Sequence, residues 1–169
     1  SITHVAVTDH GNLMGMHKSK VYADKYGINL IPGNEAYLVP DVEKCRGKGW
    51  MRGKSSHLVL LAKDNTGWEN LKLLTTKSNK IGFYSEPRID YAMLREHSEG
   101  IVALTACLGG VLAKPWFKKS PMALVADRML DIFGKDNFFL EIQLNSQEVQ
   151  KERSQPRHRE ASHPGRAAG

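Results

Sequence analysis

Short apolar runs alternate with amphipathic segments over most of the chain. Val5-Ala6-Val7 is apolar without helical spacing and Gly11-Asn12 stops it, so a strand buried in a parallel sheet is expected to end there. Residues 13–26 set Leu13, Met16, Val21, Tyr22 and Ala23 in a loosely amphipathic helix that Gly27 terminates. Residues 28–31 rise as a strand, Pro32-Gly33-Asn34 predicts a bend, and Glu35-Ala36-Tyr37-Leu38-Val39 extends again before Pro40. His57-Leu58-Val59-Leu60-Leu61-Ala62 is nearly all apolar, the pattern of a strand covered on both faces.

A helix over 65–79 follows, with Trp68, Leu71, Leu74 and Ser78 on one side and a cap at Asn65 or Thr66. A loop through Gly82-Phe83-Tyr84 and Pro87-Arg88 leads to a short helix over 91–96. Residues 101–105 form a strand that ends at Ala106-Cys107. Helices over 111–117 and 122–133 come next, the second with Leu124, Val125, Met129, Leu130 and Phe133 in register and Gly134 as its stop. A last strand over 138–144 separates Phe138, Leu140, Ile142 and Leu144 from Phe139, Glu141 and Gln143.

Strands alternating with helices predict an α/β fold on a parallel sheet with right-handed crossovers. The pattern leaves open whether the sheet is doubly wound or closed, and four or five strands are too few to close a barrel. Residues 1–8 begin within a strand with no turn or cap before it, so the domain is expected to start upstream. From Ser154 onward Pro, His, Arg, Ser, Gly and Ala replace the apolar period, and the stretch 154–169 is expected to be disordered because it has nothing to bury. The organisation expected is one domain over 1–150 and a polar tail over 151–169.

Composition changes this picture little. The chain has 169 residues, 41% hydrophobic and 25% charged, which suits one soluble domain with its own core. No apolar run approaches the roughly 20 residues of a membrane span, and no signal-peptide pattern opens the chain, so a cytoplasmic, non-membrane protein is expected. Of the net charge of +6, half falls in the last 19 residues, which hold five Lys/Arg against two Glu. The remaining body tolerates a polyanionic partner without identifying one. The cluster from Lys44 to Lys54 is denser and carries Trp50; it reads as a solvated loop or as a basic loop able to touch phosphates. Cys45 and Cys107 form no disulfide framework.

Ligand-type residues gather at strand ends and bends. Asp9 and His10 end the first strand, Glu35 follows the Pro-Gly bend, His57 opens its strand and Cys107 follows the fourth. Each also has a plainer reading. Asp9 could cap the next helix, His57 precedes its strand on this reading and so would lie at the opposite edge, and Cys107 could be a small buried packing residue. If the loops converge, carboxylate, imidazole and thiolate donors from four segments make a metal cluster. Imidazole and thiolate suit zinc, carboxylates suit manganese or magnesium, and two or three such ions promote phosphoester hydrolysis.

Six stretches occur in order: Thr8-Asp9-His10-Gly11-Asn12, Pro32-Gly33-Asn34-Glu35-Ala36-Tyr37, His57-Leu58-Val59-Leu60-Leu61-Ala62-Lys63, Gly82-Phe83-Tyr84 with Pro87-Arg88-Ile89-Asp90, Ala106-Cys107-Leu108-Gly109-Gly110, and Leu140-Glu141-Ile142-Gln143. Together they resemble the PHP (polymerase and histidinol phosphatase) domain at the N-terminus of the bacterial replicative DNA polymerase III alpha subunit. The resemblance covers about residues 1–150. It implies a distorted (β/α)7 barrel, here incomplete at both ends, whose mouth holds up to three divalent ions. It implies Asp9, His10, Glu35, His57 and Cys107 as metal ligands, the middle five of the family's nine positions. The His-x-His pair expected before Asp9 and the Asp-x-His expected after Gln143 do not occur in this chain.

Arg88 and Glu141 are further candidates near a substrate phosphate, Arg88 as a planar multidentate donor and Glu141 near the metals. His4, His17 and His97 match no motif position. The resemblance implies a parent DNA polymerase whose partners are DNA and the other holoenzyme subunits, including a proofreading exonuclease subunit. The PHP region would act as a metal-dependent 3′ to 5′ exonuclease or as a scaffold that docks the separate exonuclease. An error-prone paralogue of the alpha subunit and a free-standing phosphatase are the remaining alternatives. The chain alone is expected to be catalytically silent and marginally stable, because a broken barrel exposes strand edges and apolar sheet surface.

Overall fold

The structure is a computed structural model and describes residues 2–46, 54–114 and 121–143. In chain order the elements are β1 (His4–His10), α1 (Met16–Lys25), β2 (Asn29–Leu38), β3 (Ser56–Ala62), α2 (Asn65–Lys80), β4 (Arg88–Ile89), α3 (Tyr91–Glu96), β5 (Ile101–Leu104), α4 (Met122–Phe133) and β6 (Phe138–Phe139). The tail over 154–169, residues 47–53 of the basic loop and residues 115–117 of an expected helix lie outside the described residues.

Six strands form one sheet in the order β1-β2-β3-β5-β6, with β4 pairing β2 beyond that path. The fold is α/β as expected, but the sheet is mixed rather than parallel. β3 runs antiparallel to both β2 and β5, while β1 with β2, β2 with β4, and β5 with β6 are parallel. A strand's apolar pattern carries no direction, so the reversal is invisible in the residues of β3 themselves. Its consequence is that the first residues of β3 lie beside the last residues of β1 and β2.

The expected bend at Pro32-Gly33-Asn34 is also absent: β2 runs unbroken through it. Asn29 donates its backbone N–H to the Thr3 carbonyl, and alternation turns the Pro32 nitrogen away from β1. On that side the ladder with β3 begins only at Gly33 opposite Leu61. Pro32 therefore costs no hydrogen bond. Gly33 is required by close approach, because a Cβ there would come within 2.7 Å of both Thr8 and Leu61.

The core lies on one face of the sheet. Ala36, Leu38, Leu58, Leu60, Ile101 and Ala103 are buried, and Leu71 and Leu74 of α2, Leu94 of α3 and Met129 and Phe133 of α4 pack with them. Fully burying a leucine side chain is worth about 1.5–3 kcal/mol, so this layer supplies most of the stability. Asp64, one residue before the expected caps, caps α2 by accepting the Gly67 N–H at 2.9 Å. Asp90 does the same for α3 and also accepts the Val42 N–H.

Four segments carry apolar side chains outside this core. β1 pairs only with β2 among the described residues, and Val5 is 41% exposed, so it is an edge strand and not a doubly buried one. Val21 and Tyr22 of α1 and Leu124 and Leu130 of α4 face outward. Leu140 and Ile142 are exposed because β5 has only four residues and its ladder with β6 stops at Leu104 opposite Phe139.

Candidate metal centre

Side chains alternate across a sheet, so the strands that put Ala36 and Leu58 into the core turn Glu35, Tyr37 and His57 to the other face. Register does the rest. His10 is the partner of Glu35 across β1 and β2, and Tyr37 is the partner of His57 across β2 and β3. Because β3 is antiparallel, His57 at its start joins the edge where β1 ends. The structure thereby resolves the apparent misplacement of His57.

Glu35 stands between two imidazoles. Its Oε1 lies 2.8 Å from His57 Nδ1 and its Oε2 lies 3.6 Å from His10 Nε2, so each carboxylate oxygen faces a different ring. One ligand atom from each of His10, Glu35 and His57 falls within 4.8 Å of the other two. Glu35 and His57 are half-buried, while the His10 side chain is 55% exposed.

Cys107 joins the group from the fourth segment. Its Sγ lies 3.4 Å from His57 Nδ1 and 3.8 Å from Glu35 Oε1, and it accepts the Gly109 N–H at 3.3 Å. Backbone contacts hold this loop against β3: His57 N–H donates to the Gly109 carbonyl and Val111 N–H donates to the His57 carbonyl. Ala106 adopts a left-handed conformation, φ 58°, which turns the chain back over β3 at the end of β5. Such a conformation in a residue with a Cβ costs on the order of 1–3 kcal/mol and is kept where surrounding contacts over-determine it.

Asp9 is turned elsewhere. β1 extends to His10, so Asp9 and His10 lie on opposite faces, and Asp9 Oδ2 accepts the Gly15 N–H at 2.9 Å where α1 begins. The group of three donors does not include it. Arg88 is buried and has its guanidinium engaged by backbone: Nε donates to the Gly82 carbonyl and Nη1 to the Cys45 carbonyl, with the Tyr84 ring 5.2 Å away. Desolvation lowers its pKa from the usual arginine value. Glu141 donates its N–H to Thr105 Oγ1 and accepts from Gln143 Nε2. It lines, with Cys107, an open apolar cleft of about 710 Å³.

Tyr37 has a place in the site that its motif alone does not reveal. It packs against both imidazoles, and the signal that could have found it is its period-two spacing from Glu35. Carboxylate oxygen, imidazole nitrogen and sulfur thus crowd together from four segments. A single proton on His57 Nδ1 can satisfy only part of this set, whereas a divalent cation suits all of it.

A mixed α/β sheet with imidazole, carboxylate and thiol donors at one edge is the arrangement of a metal-dependent PHP domain. The PHP domain family model matches residues 1–145, and the chain belongs to that family. It is 41% identical over 156 residues to the DNA polymerase III subunit alpha of Thermus aquaticus, covering 89% of this chain and 12% of that protein. The subunit of the same name from Borreliella burgdorferi is 36% identical over 181 residues, covering 99% of this chain and 15% of that protein. That of Aquifex aeolicus is 39% identical over 158 residues, covering 84% and 13%. The chain therefore spans 12–15% of the length of these relatives. Among the described residues no helix is long and apolar enough to cross a membrane.

Proposed function

We propose that this chain is the PHP region of a DNA polymerase III alpha subunit and that it holds divalent metal ions for phosphodiester hydrolysis. The observation that carries the reading is the convergence of His10, Glu35 and His57, with Cys107 beside them, from segments up to 97 positions apart in the sequence. The domain occupies residues 1–150, with 151–169 as a polar tail. Further strands from the parent protein complete the (β/α)7 barrel beyond β1 and β6, whose outer edges are unpaired among the described residues.

In this reading His10, Glu35, His57 and Cys107 are ligands, while Asp9, on the opposite face of β1, holds the start of α1 through the Gly15 N–H. Each oxygen of Glu35 faces its own imidazole, so Glu35 would hold metal together with His10 on one side and His57 on the other. Zinc, manganese or magnesium bound there supplies Lewis-acid polarisation of the phosphoester and activates water. The chain's own groups position the reaction: the β3 start and the Cys107 loop fix one wall, and the cleft beside Glu141 admits a strand end. Arg88 supports the rim by tying the Gly82 and Cys45 carbonyls together. The substrate is the 3′ end of a DNA strand, removed in the 3′ to 5′ direction, within a cytoplasmic holoenzyme that also carries a separate exonuclease subunit.

The test is metal content and exonuclease turnover of the full-length parent, compared with the isolated chain. Bound divalent metal and turnover in the parent, both lost in His57→Ala, with a silent isolated chain, are expected. A metal-free parent that still binds the exonuclease subunit through this face would overturn the catalytic reading in favour of a scaffold.

A further inference from the structure

We propose that Tyr37 is a positioning residue of the metal site, its ring setting the orientation of the His10 imidazole and bracing that of His57. The inference rests on the metal-site reading above and adds to it a residue that acts through its aromatic face. Tyr37 follows Glu35 by two residues on β2, and register places it opposite His57. Its ring stacks on that of His10, with 5.9 Å between centroids and 20° between planes. It meets His57 edge-on at 5.4 Å and 81°, and the two imidazoles meet each other at 5.3 Å and 70°. The three rings close a triangle in which none can rotate far without striking another.

The Tyr37 ring is itself wedged. Gly11 has φ 67°, and a Cβ there would lie 3.1 Å from the Tyr37 ring and 2.6 Å from Pro87. The chain passes the ring at this distance only as glycine. The two histidines depend on the wedge unequally. His57 is held by Glu35 at 2.8 Å and by the Cys107 sulfur, with its backbone bonded to Gly109 and Val111. His10 is more exposed and approaches Glu35 only at the longer 3.6 Å, so its ring angle relies on packing against the Tyr37 and His57 rings, and Tyr37 supplies the stacked face. Aromatic pairs in offset or edge geometry favour one ring orientation severalfold. A ligand already facing its ion avoids the ordering cost of binding.

The experiment compares wild type, Tyr37→Phe and Tyr37→Leu in the full-length parent, titrated with cobalt(II) and read by visible absorption. Tyr37→Phe should keep the wild-type affinity and spectrum. Tyr37→Leu should bind on the order of tenfold more weakly, the loss expected when a group that orients a ligand is removed, with an altered spectrum. Tyr37→Met replaces the leucine variant if that one does not fold. Wild-type affinity and spectrum in the ring-less variant would overturn the proposal, as would a Tyr37→Phe loss as large as that of Tyr37→Leu. Metal-free wild type gives a separate reading. Nuclear Overhauser contacts between the Tyr37 and His10 rings are expected, and their absence overturns the positioning role whatever the metal result. Failure of wild type to bind cobalt with those contacts intact refutes the metal-site reading instead.

Discussion

The two faces of the sheet are made by the same strands and differ in almost everything else. On the helix-covered face Ala36, Leu38, Leu58, Leu60, Ile101 and Ala103 are buried against Leu71, Leu74 and Met129. On the opposite face, one residue along each strand, stand Glu35, Tyr37 and His57, with His10 beside them. The pleat separates folding from chemistry by a single step along the chain. A residue on the first face is held by surrounding apolar contacts, while one on the second is held by a few directional partners. The first set should therefore govern stability and the second ligand affinity, with little exchange between them.

The largest effect belongs to the covered face. Leu71→Ala should cost about 2–5 kcal/mol in urea unfolding, because it opens a cavity under a fully buried side chain. The protein that remains folded should bind metal as wild type does. Glu35→Gln should invert that result: metal affinity falls by more than the roughly 10–100-fold that loss of an outer-shell partner costs, with little change in the unfolding midpoint. A Glu35→Gln variant as unstable as Leu71→Ala would break the contrast between the faces.

Asp9→Asn sharpens it. The amide oxygen can still accept the Gly15 N–H, so stability should stay within about 0.5 kcal/mol, and metal occupancy measured by elemental analysis should match wild type because Asp9 lies on the face opposite Glu35 and His57. A fall in occupancy would break the separation of the faces.

The smallest effect is an acid sensitivity far from the site. His97 is buried, and burial followed by repulsion from Lys77 lowers its pKa below the ordinary 6.5, with Glu96 acting in the opposite sense. The Asn70 side chain faces its Nδ1. Since the folded state resists the proton that the unfolded state accepts, stability should be full above about pH 6.5 and decline as pH falls towards the lower folded value. Following the unfolding midpoint across that range in wild type and His97→Gln isolates the contribution, which the variant should remove.

Much of the site was legible because its donors sit in ordered short motifs, and much of the fold because helical and strand periods are strong. Residues 65–79 and 122–133 read as helices from their spacing, and α2 and α4 occupy those places. Asp64 was missed as a cap since Asn65 and Thr66, both plausible caps, stand beside it, and only the Gly67 N–H distinguishes them. Pro32-Gly33 looked like a turn because turn signals are local, whereas the neighbouring strands decide whether a proline nitrogen lacks a partner. Leu140 and Ile142 alternate as a strand should, but the short β5 offers no ladder to pair them. Tyr37 stood inside a quoted motif without a role, since ring packing depends on residues 20 and 27 positions away.

By itself, the amino-acid order determined where the chain is apolar, where it turns, and which donor chemistry each turn carries. Tertiary structure alone decided that His57 and Cys107 share an edge with His10 and Glu35. Leu58 and Leu60 would alternate identically whichever way β3 ran, so hydrophobic period cannot register a strand's direction. That direction is set by pairing with β2 and β5, contacts made between residues far apart along the chain.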